Sequence, residues 1–127
     1  MNTGCLKMAR DRFIWFKGEH KVPSKDDVQS VLTHFIGEAG TVEWRKDQSR
    51  FYMVLQGDPS WPFTDMDLGV HNPHGEDKGR SRWIEVYMGK DNIDVMTRMM
   101  DEYTNTVADG VAKMIARFWQ GQLEDDT

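Results

Sequence analysis

Cysteine is nearly absent from this chain of 127 residues, in which Cys5 is the only one. A single thiol excludes an intrachain disulfide, so the fold must rest on its core, and a reducing, cytoplasmic location is expected. Long apolar runs are absent too, and the opening residues, MNTGCLKMAR, contain no apolar signal core. The sequence therefore predicts a soluble protein that has no membrane partner.

Motifs of catalysis are also missing. The sequence has no glycine-rich phosphate loop of the GxxxxGK type and no nucleophile-elbow pattern. Cys5 falls in residues 1–10, which we predict to be a flexible N-terminus, and this argues against a positioned nucleophile. We predict no catalytic residue and no cofactor, and we favour a protein that is not an enzyme. An acid–base pair formed only in space, such as Glu43 with Glu85, stays open.

The composition is that of a globular protein. Apolar residues make up 39% and aromatic residues 11% of the chain, at a length typical of one domain, so residues 1–127 are expected to form a single domain. The net charge is −5, but the N-terminal part is net basic and the C-terminal part net acidic. Such an asymmetry can orient two copies of a chain or attract a charged partner.

A strand and a helix are predicted near the N-terminus. RFIWFK, residues 12–17, is an aromatic-rich strand pattern with apolar side chains on both faces, which favours a position inside a sheet. Ser24 followed by Asp27 resembles a capping box at the start of a helix. The residues that then follow the helical period are Val28, Val31, Leu32, Phe35 and Ile36.

Two hairpins and a long helix complete the pattern. The hairpins are predicted from alternating apolar residues over 41–46 with 50–57, and over 82–89 with 93–98. The order β-α-β-β-β-β-α predicts an α+β fold, an antiparallel sheet with both helices on one face. Gly121 should end the last helix, and residues 122–127 should form a frayed acidic tail. The residues predicted on one face of that helix are Met100, Tyr103, Val107, Val111, Met114 and Phe118.

A long loop is predicted over residues 57–81. It contains His71 and His74 in an HxxH spacing, but no helix fixes their geometry, so a polar loop is favoured over a metal site. Trp61 and Phe63 in the same loop either cover one end of the core or form a contact point for a partner.

The outward face of the sheet is the candidate binding surface. Alternation places aromatic and charged residues on it, and this favours either a binding surface or an ordinary amphipathic sheet with cross-strand charge pairs. Asp94 and Arg98 of the last strand are expected beside them. The candidate binding residues are Glu43, Arg45, Tyr52, Trp83, Glu85 and Tyr87.

These features favour a protein that acts through protein–protein contacts, as a homodimer. The alternative is a small-molecule binding protein or enzyme, with its pocket between the curved sheet and the C-terminal helix. Nucleic acid is a weaker candidate, since the basic and aromatic residues of KMARDRFIWFKGEHK fit a buried strand better.

Overall fold

The computed structural model describes residues 9–55, 82–98, 100 and 102–125. The predicted loop over residues 57–81, with its histidines and aromatics, lies outside these residues, as does most of the predicted flexible N-terminus. The strands and helices are β1 (Arg10–Trp15), α1 (Lys25–Ile36), β2 (Gly40–Arg45), β3 (Arg50–Leu55), β4 (Arg82–Met88), β5 (Asn92–Thr97), α2 (Glu102–Phe118) and β6 (Gln122–Asp125).

The strands form one antiparallel sheet of six, in the order β2-β3-β4-β5-β1-β6. The predicted α+β class and the meander from β2 to β5 are confirmed. The chain crosses from β1 to β2 through α1, so β1 pairs with β5 and not with its neighbour in sequence. As predicted for a strand with two apolar faces, β1 lies inside the sheet.

Residues Gln122–Asp125 correct a prediction, because they form β6 and not part of a frayed tail. This strand pairs with β1, and Leu123 packs against the core. The indole Nε1–H of Trp15 donates to Glu124 at 2.9 Å. The carboxylate of Glu124 stays in solvent, so the acidic composition that indicated a tail is compatible with an edge strand.

Helix α1 begins at the residue its sequence indicates. Ser24 is the N-cap, and its Oγ accepts a hydrogen bond from the backbone N–H of Asp27 at 3.1 Å. Gly37 is the C-cap at φ 55°, a left-handed conformation that favours glycine. Three members of the predicted stripe are buried, namely Val28, Leu32 and Ile36, whereas the side chain of Phe35 is 40% exposed.

Helix α2 is rotated relative to the predicted face. Val111 is fully buried as predicted, but Phe118 is 60% exposed. The small residues Ala108 and Ala112 are fully buried, whereas the predicted Tyr103, Val107 and Met114 are only partly buried. No helix in the described part of the chain has the length and apolar character needed to cross a membrane. The buried residues of α2 are Thr104, Ala108, Val111, Ala112 and Ile115.

The core lies between the sheet and the two helices. The inward side chains of β3, β4 and β5 are almost all inaccessible to solvent, as the alternation predicts. Gly121 follows α2 where the chain passes β1, and a Cβ at this position would overlap the side chain of Ile14. The fully buried apolar residues are Ile14, Val28, Leu32, Phe51, Met53, Ile84, Val86, Ile93, Val95, Ala108, Val111, Ala112 and Ile115.

Candidate functional site

The six candidate binding residues lie on three adjacent strands. Glu43 of β2 is opposite Tyr52 of β3, which is opposite Glu85 of β4. Directly paired residues of an antiparallel sheet point to the same side, so these side chains share the face turned away from the helices. The same rule places Arg45 and Tyr87 on this outward face.

Glu85 is the centre of the charge network on the outward face. Its side chain is only 3% exposed, and its Oε1 accepts a hydrogen bond from Arg50 at 2.6 Å. Its Oε2 accepts hydrogen bonds from Arg98 at 2.8 Å and from the Trp83 indole at 3.1 Å. Burial alone would raise the pKa of Glu85, but these three donors outweigh it and hold the pKa below the ordinary value.

The surrounding side chains form a layer of stacked cations and rings. The Arg45 guanidinium donates to Glu43 at 3.0 and 3.2 Å and lies 4.7 Å from the centre of the Tyr52 ring. Arg50 lies 5.5 Å from the centre of the Tyr87 ring. The pair of Arg45 and Glu43 lies within β2 and is not the cross-strand pair that was expected. The cross-strand pair on this face joins Glu85 to Arg50.

A second group on the outward face is a pair of carboxyls. Asp94 of β5 is 6% exposed, and its side chain is hydrogen-bonded to that of Asp11 on β1. Burial, together with this carboxyl neighbour, raises the pKa of Asp94 from 3.8 to about 8. The backbone N–H of Arg12 donates to Asp94 Oδ1 at 3.2 Å and favours the ionised form, but less strongly. At neutral pH the carboxyl of Asp94 therefore stays largely protonated.

The replacement Asp94→Asn should remove a pH dependence of folding. The folded-state pKa is above the unfolded value, so the folded protein holds a proton that the unfolded chain releases. The free energy of unfolding should therefore fall as the pH rises from 4 to 8. Since one pKa unit corresponds to about 1.4 kcal/mol, Asp94→Asn should be more stable than the parent by at least about 1 kcal/mol at pH 8.

Urea denaturation at pH 4, 6 and 8 measures this effect. At pH 4 the variant and the parent should have similar stability, since the side chain at position 94 is then neutral in both folded proteins. The matched control is Asp47→Asn, which neutralises an exposed carboxylate. Equal stability of Asp94→Asn and the parent at pH 8 would show that the fold does not raise the pKa of Asp94.

A third group lies on the opposite side of the sheet, beneath α2. Arg12 is fully buried, and its Nε lies 2.5 Å from Asp109 Oδ1. Its other donors reach the side chains of Asn105 at 2.8 Å and Thr97 at 3.4 Å. The pocket of the alternative function was predicted between the sheet and this helix. The side chains between the sheet and α2 are an ion-paired arginine and apolar residues. These contacts do not support the predicted pocket, which stays a prediction.

Alternation placed all six candidate residues on the outward face but did not indicate three other charged residues, two on this face and one beneath α2. Arg50 lies two positions before Tyr52, so strict alternation would have placed it on the same face. Asp11 precedes the predicted strand and was assigned no face. The burial of Arg12 has no local signal, because its partner Asp109 is 97 positions away.

The comparisons with known proteins assign no family: the chain matches no family model, no curated protein and no solved structure at a significant level. Within residues 9–55, 82–98, 100 and 102–125, no three metal-ligating side chains converge. The outward face carries aromatic rings, fixed ion pairs and a carboxyl, that of Asp94, whose pKa is raised.

Proposed function

We propose that this protein acts through protein–protein contacts and forms a homodimer through the outward face of its sheet. The observation that carries the proposal is the set of aromatic side chains on this face, held by the network around Glu85 and covered by neither described helix. Such rings offer a large contact area together with a polar group, as the centres of protein interfaces do.

The contact area continues beyond the predicted residues. Val54, which is 37% exposed, is opposite Trp83. Met96 is half-buried and is opposite Glu85. On β1, Phe13 stacks on Trp15 with 6.0 Å between ring centres, and Trp15 is 37% exposed. An apolar surface that extends across the strands in this way favours burial against another protein.

The network around Glu85 supports the same function by fixing the rings in advance. Arg50 donates to Glu85 and also lies over the ring of Tyr87, while Trp83 donates to the same carboxylate. Side chains that are already held lose little conformational entropy on binding, so more of the contact energy contributes to affinity. A second copy is the proposed partner because the face carries charges of both signs and a two-fold axis uses one patch twice.

The test is the double replacement Trp83→Ser with Tyr87→Ser. Truncation of central aromatic residues costs about 2 kcal/mol each at protein interfaces, so the dimer should dissociate at concentrations where the parent stays dimeric. Sedimentation equilibrium between low and high micromolar concentrations measures the change in mass. Far-UV circular dichroism verifies that the variant keeps its fold.

The matched control removes two exposed rings from the helical side, Phe35→Ser with Phe118→Ser, which are 40% and 60% exposed in the parent. The control should stay dimeric. A parent that is monomeric at high micromolar concentration would exclude the proposed function. A dimer that loses mass in the control but not in the Trp83 and Tyr87 variant would place the interface on the helices.

A further inference from the structure

Charge is ordered along one row of the outward face. The strand register aligns Arg45 of β2 with Arg50 of β3, then with Tyr87 and Asp94, and finally with Phe13 of β1 and Glu124 of β6. We call these six residues the central row. The row begins with two arginines at the β2 edge and ends with a glutamate at the β6 edge, so its two ends carry opposite charge.

We propose that two copies stack face to face about a two-fold axis that runs parallel to the strands, between β4 and β5. This inference rests on the proposed function and specifies its geometry. Such an axis reverses the strand order of the second copy, so that β2 lies over β6 and β3 over β1. The central row of one copy then lies over the central row of the other in the opposite order.

The reversed order makes the row complementary to itself at each position. Arg45, with a side chain 45% exposed, meets the exposed Glu124 of the second copy. Arg50 meets the ring of Phe13, a cation–π pair that extends its present contact with Tyr87. Tyr87 meets Asp94 of the second copy, since these two residues hold neighbouring positions in the row. The two-fold axis repeats each of these contacts.

A second way to stack two such faces places the axis across the strands, along the central row. Each strand then lies over its own copy, which brings Arg45 near Arg45 and Glu124 near Glu124 at the two edges. Like charges that face each other across an interface cost several kcal/mol and exclude wrong arrangements. The charge order of the central row therefore selects the axis parallel to the strands.

Charge reversal at the two ends of the row tests this axis. In the Arg45→Glu dimer, the introduced glutamate faces Glu124 of the second copy at both edges. In the Glu124→Arg dimer, the introduced arginine faces Arg45 of the second copy at both edges. Each variant alone should dimerise more weakly than the parent, by about tenfold or more in Kd. An equimolar mixture should recover a Kd close to that of the parent, because each variant supplies the charge that the other has lost.

Sedimentation velocity of one variant, fluorescently labelled and titrated with the other, measures the mixed dimer. The matched controls reverse charges away from this face, Lys113→Glu on α2 and Glu38→Arg after α1, both exposed in the parent. They should leave the Kd unchanged. If Glu124→Arg loses β6, the neutral variants Arg45→Gln and Glu124→Gln test the same ion pair, and each should weaken dimerisation by a smaller factor.

The outcomes separate this inference from the function on which it rests. A monomeric parent excludes both. A dimer that is lost in the Trp83 and Tyr87 variant but is unchanged by either charge reversal supports the proposed function and excludes this axis. Variants that are each weakened, but whose mixture is not restored, also exclude the axis, because Arg45 and Glu124 would then have different partners.

Discussion

Val111→Asp should leave the protein unfolded at 25 °C, or lower its free energy of unfolding by more than about 4 kcal/mol. Val111 is fully inaccessible and lies on the side of α2 that packs against the sheet. An aspartate in this position would bury a carboxylate among apolar neighbours, without a counter-charge. Far-UV circular dichroism and urea denaturation measure the loss.

The control for this prediction is Lys113→Asp, two positions further along the same helix and exposed. It introduces the same side chain at a similar helical position, and its effect should stay within about 0.5 kcal/mol. A Val111→Asp variant that melts within a degree or two of the parent would show that the face of α2 has been assigned wrongly.

Asp109→Ala should lower the free energy of unfolding by about 3 kcal/mol, because it leaves the buried guanidinium of Arg12 without its counter-charge. Arg12 is fully buried, whereas the side chain of Asp109 is 31% exposed and also lies 3.2 Å from Arg10. The replacement Arg12→Met should therefore lower the free energy of unfolding less than Asp109→Ala does. The carboxylate of Asp109 that it leaves behind is still hydrated and still paired with Arg10.

A double-mutant cycle separates the ion pair from the two side chains. Arg12→Met together with Asp109→Ala should be no less stable than Asp109→Ala alone, since the unpaired buried cation has then been removed. Urea denaturation of the four proteins gives the coupling energy, which we expect to be about 2 kcal/mol. Additive losses would mean that Arg12 and Asp109 stabilise the fold independently of each other.

The elements predicted correctly are those whose apolar period is complete within one segment. Alternation placed Phe51 and Met53 in the core, and the cap at Ser24 began α1 at the right residue. The edge strand β6 was missed because Leu123 is the only apolar residue in QLED, so no alternation could be read. Its pairing depends on β1, which is distant in the sequence.

In the candidate site, too, features that depend on residues distant in the sequence could not be predicted. Side-chain alternation was sufficient to place Trp83, Glu85 and Tyr87 on one face. It could not show that Glu85 is buried, because the arginines that compensate its charge are 35 and 13 positions away. Nor could alternation find the paired carboxyls of Asp11 and Asp94, which meet across two strands. Position on a face is a local property, whereas burial and pKa depend on tertiary neighbours.

The position of β1 between β5 and β6 has a consequence for the order of folding. The strands β2 and β3, like β4 and β5, can pair as hairpins as soon as each is synthesised. The strand β1 leaves the ribosome before any of them, yet its contacts lie far along the chain, 82 positions in the case of Arg12 and Asp94. High contact order of this kind slows folding, and an apolar strand can aggregate as long as its partner strands are not yet available for pairing. Closure of the sheet around β1 should therefore be the late, rate-limiting event, and it is the step at which a chaperone would act.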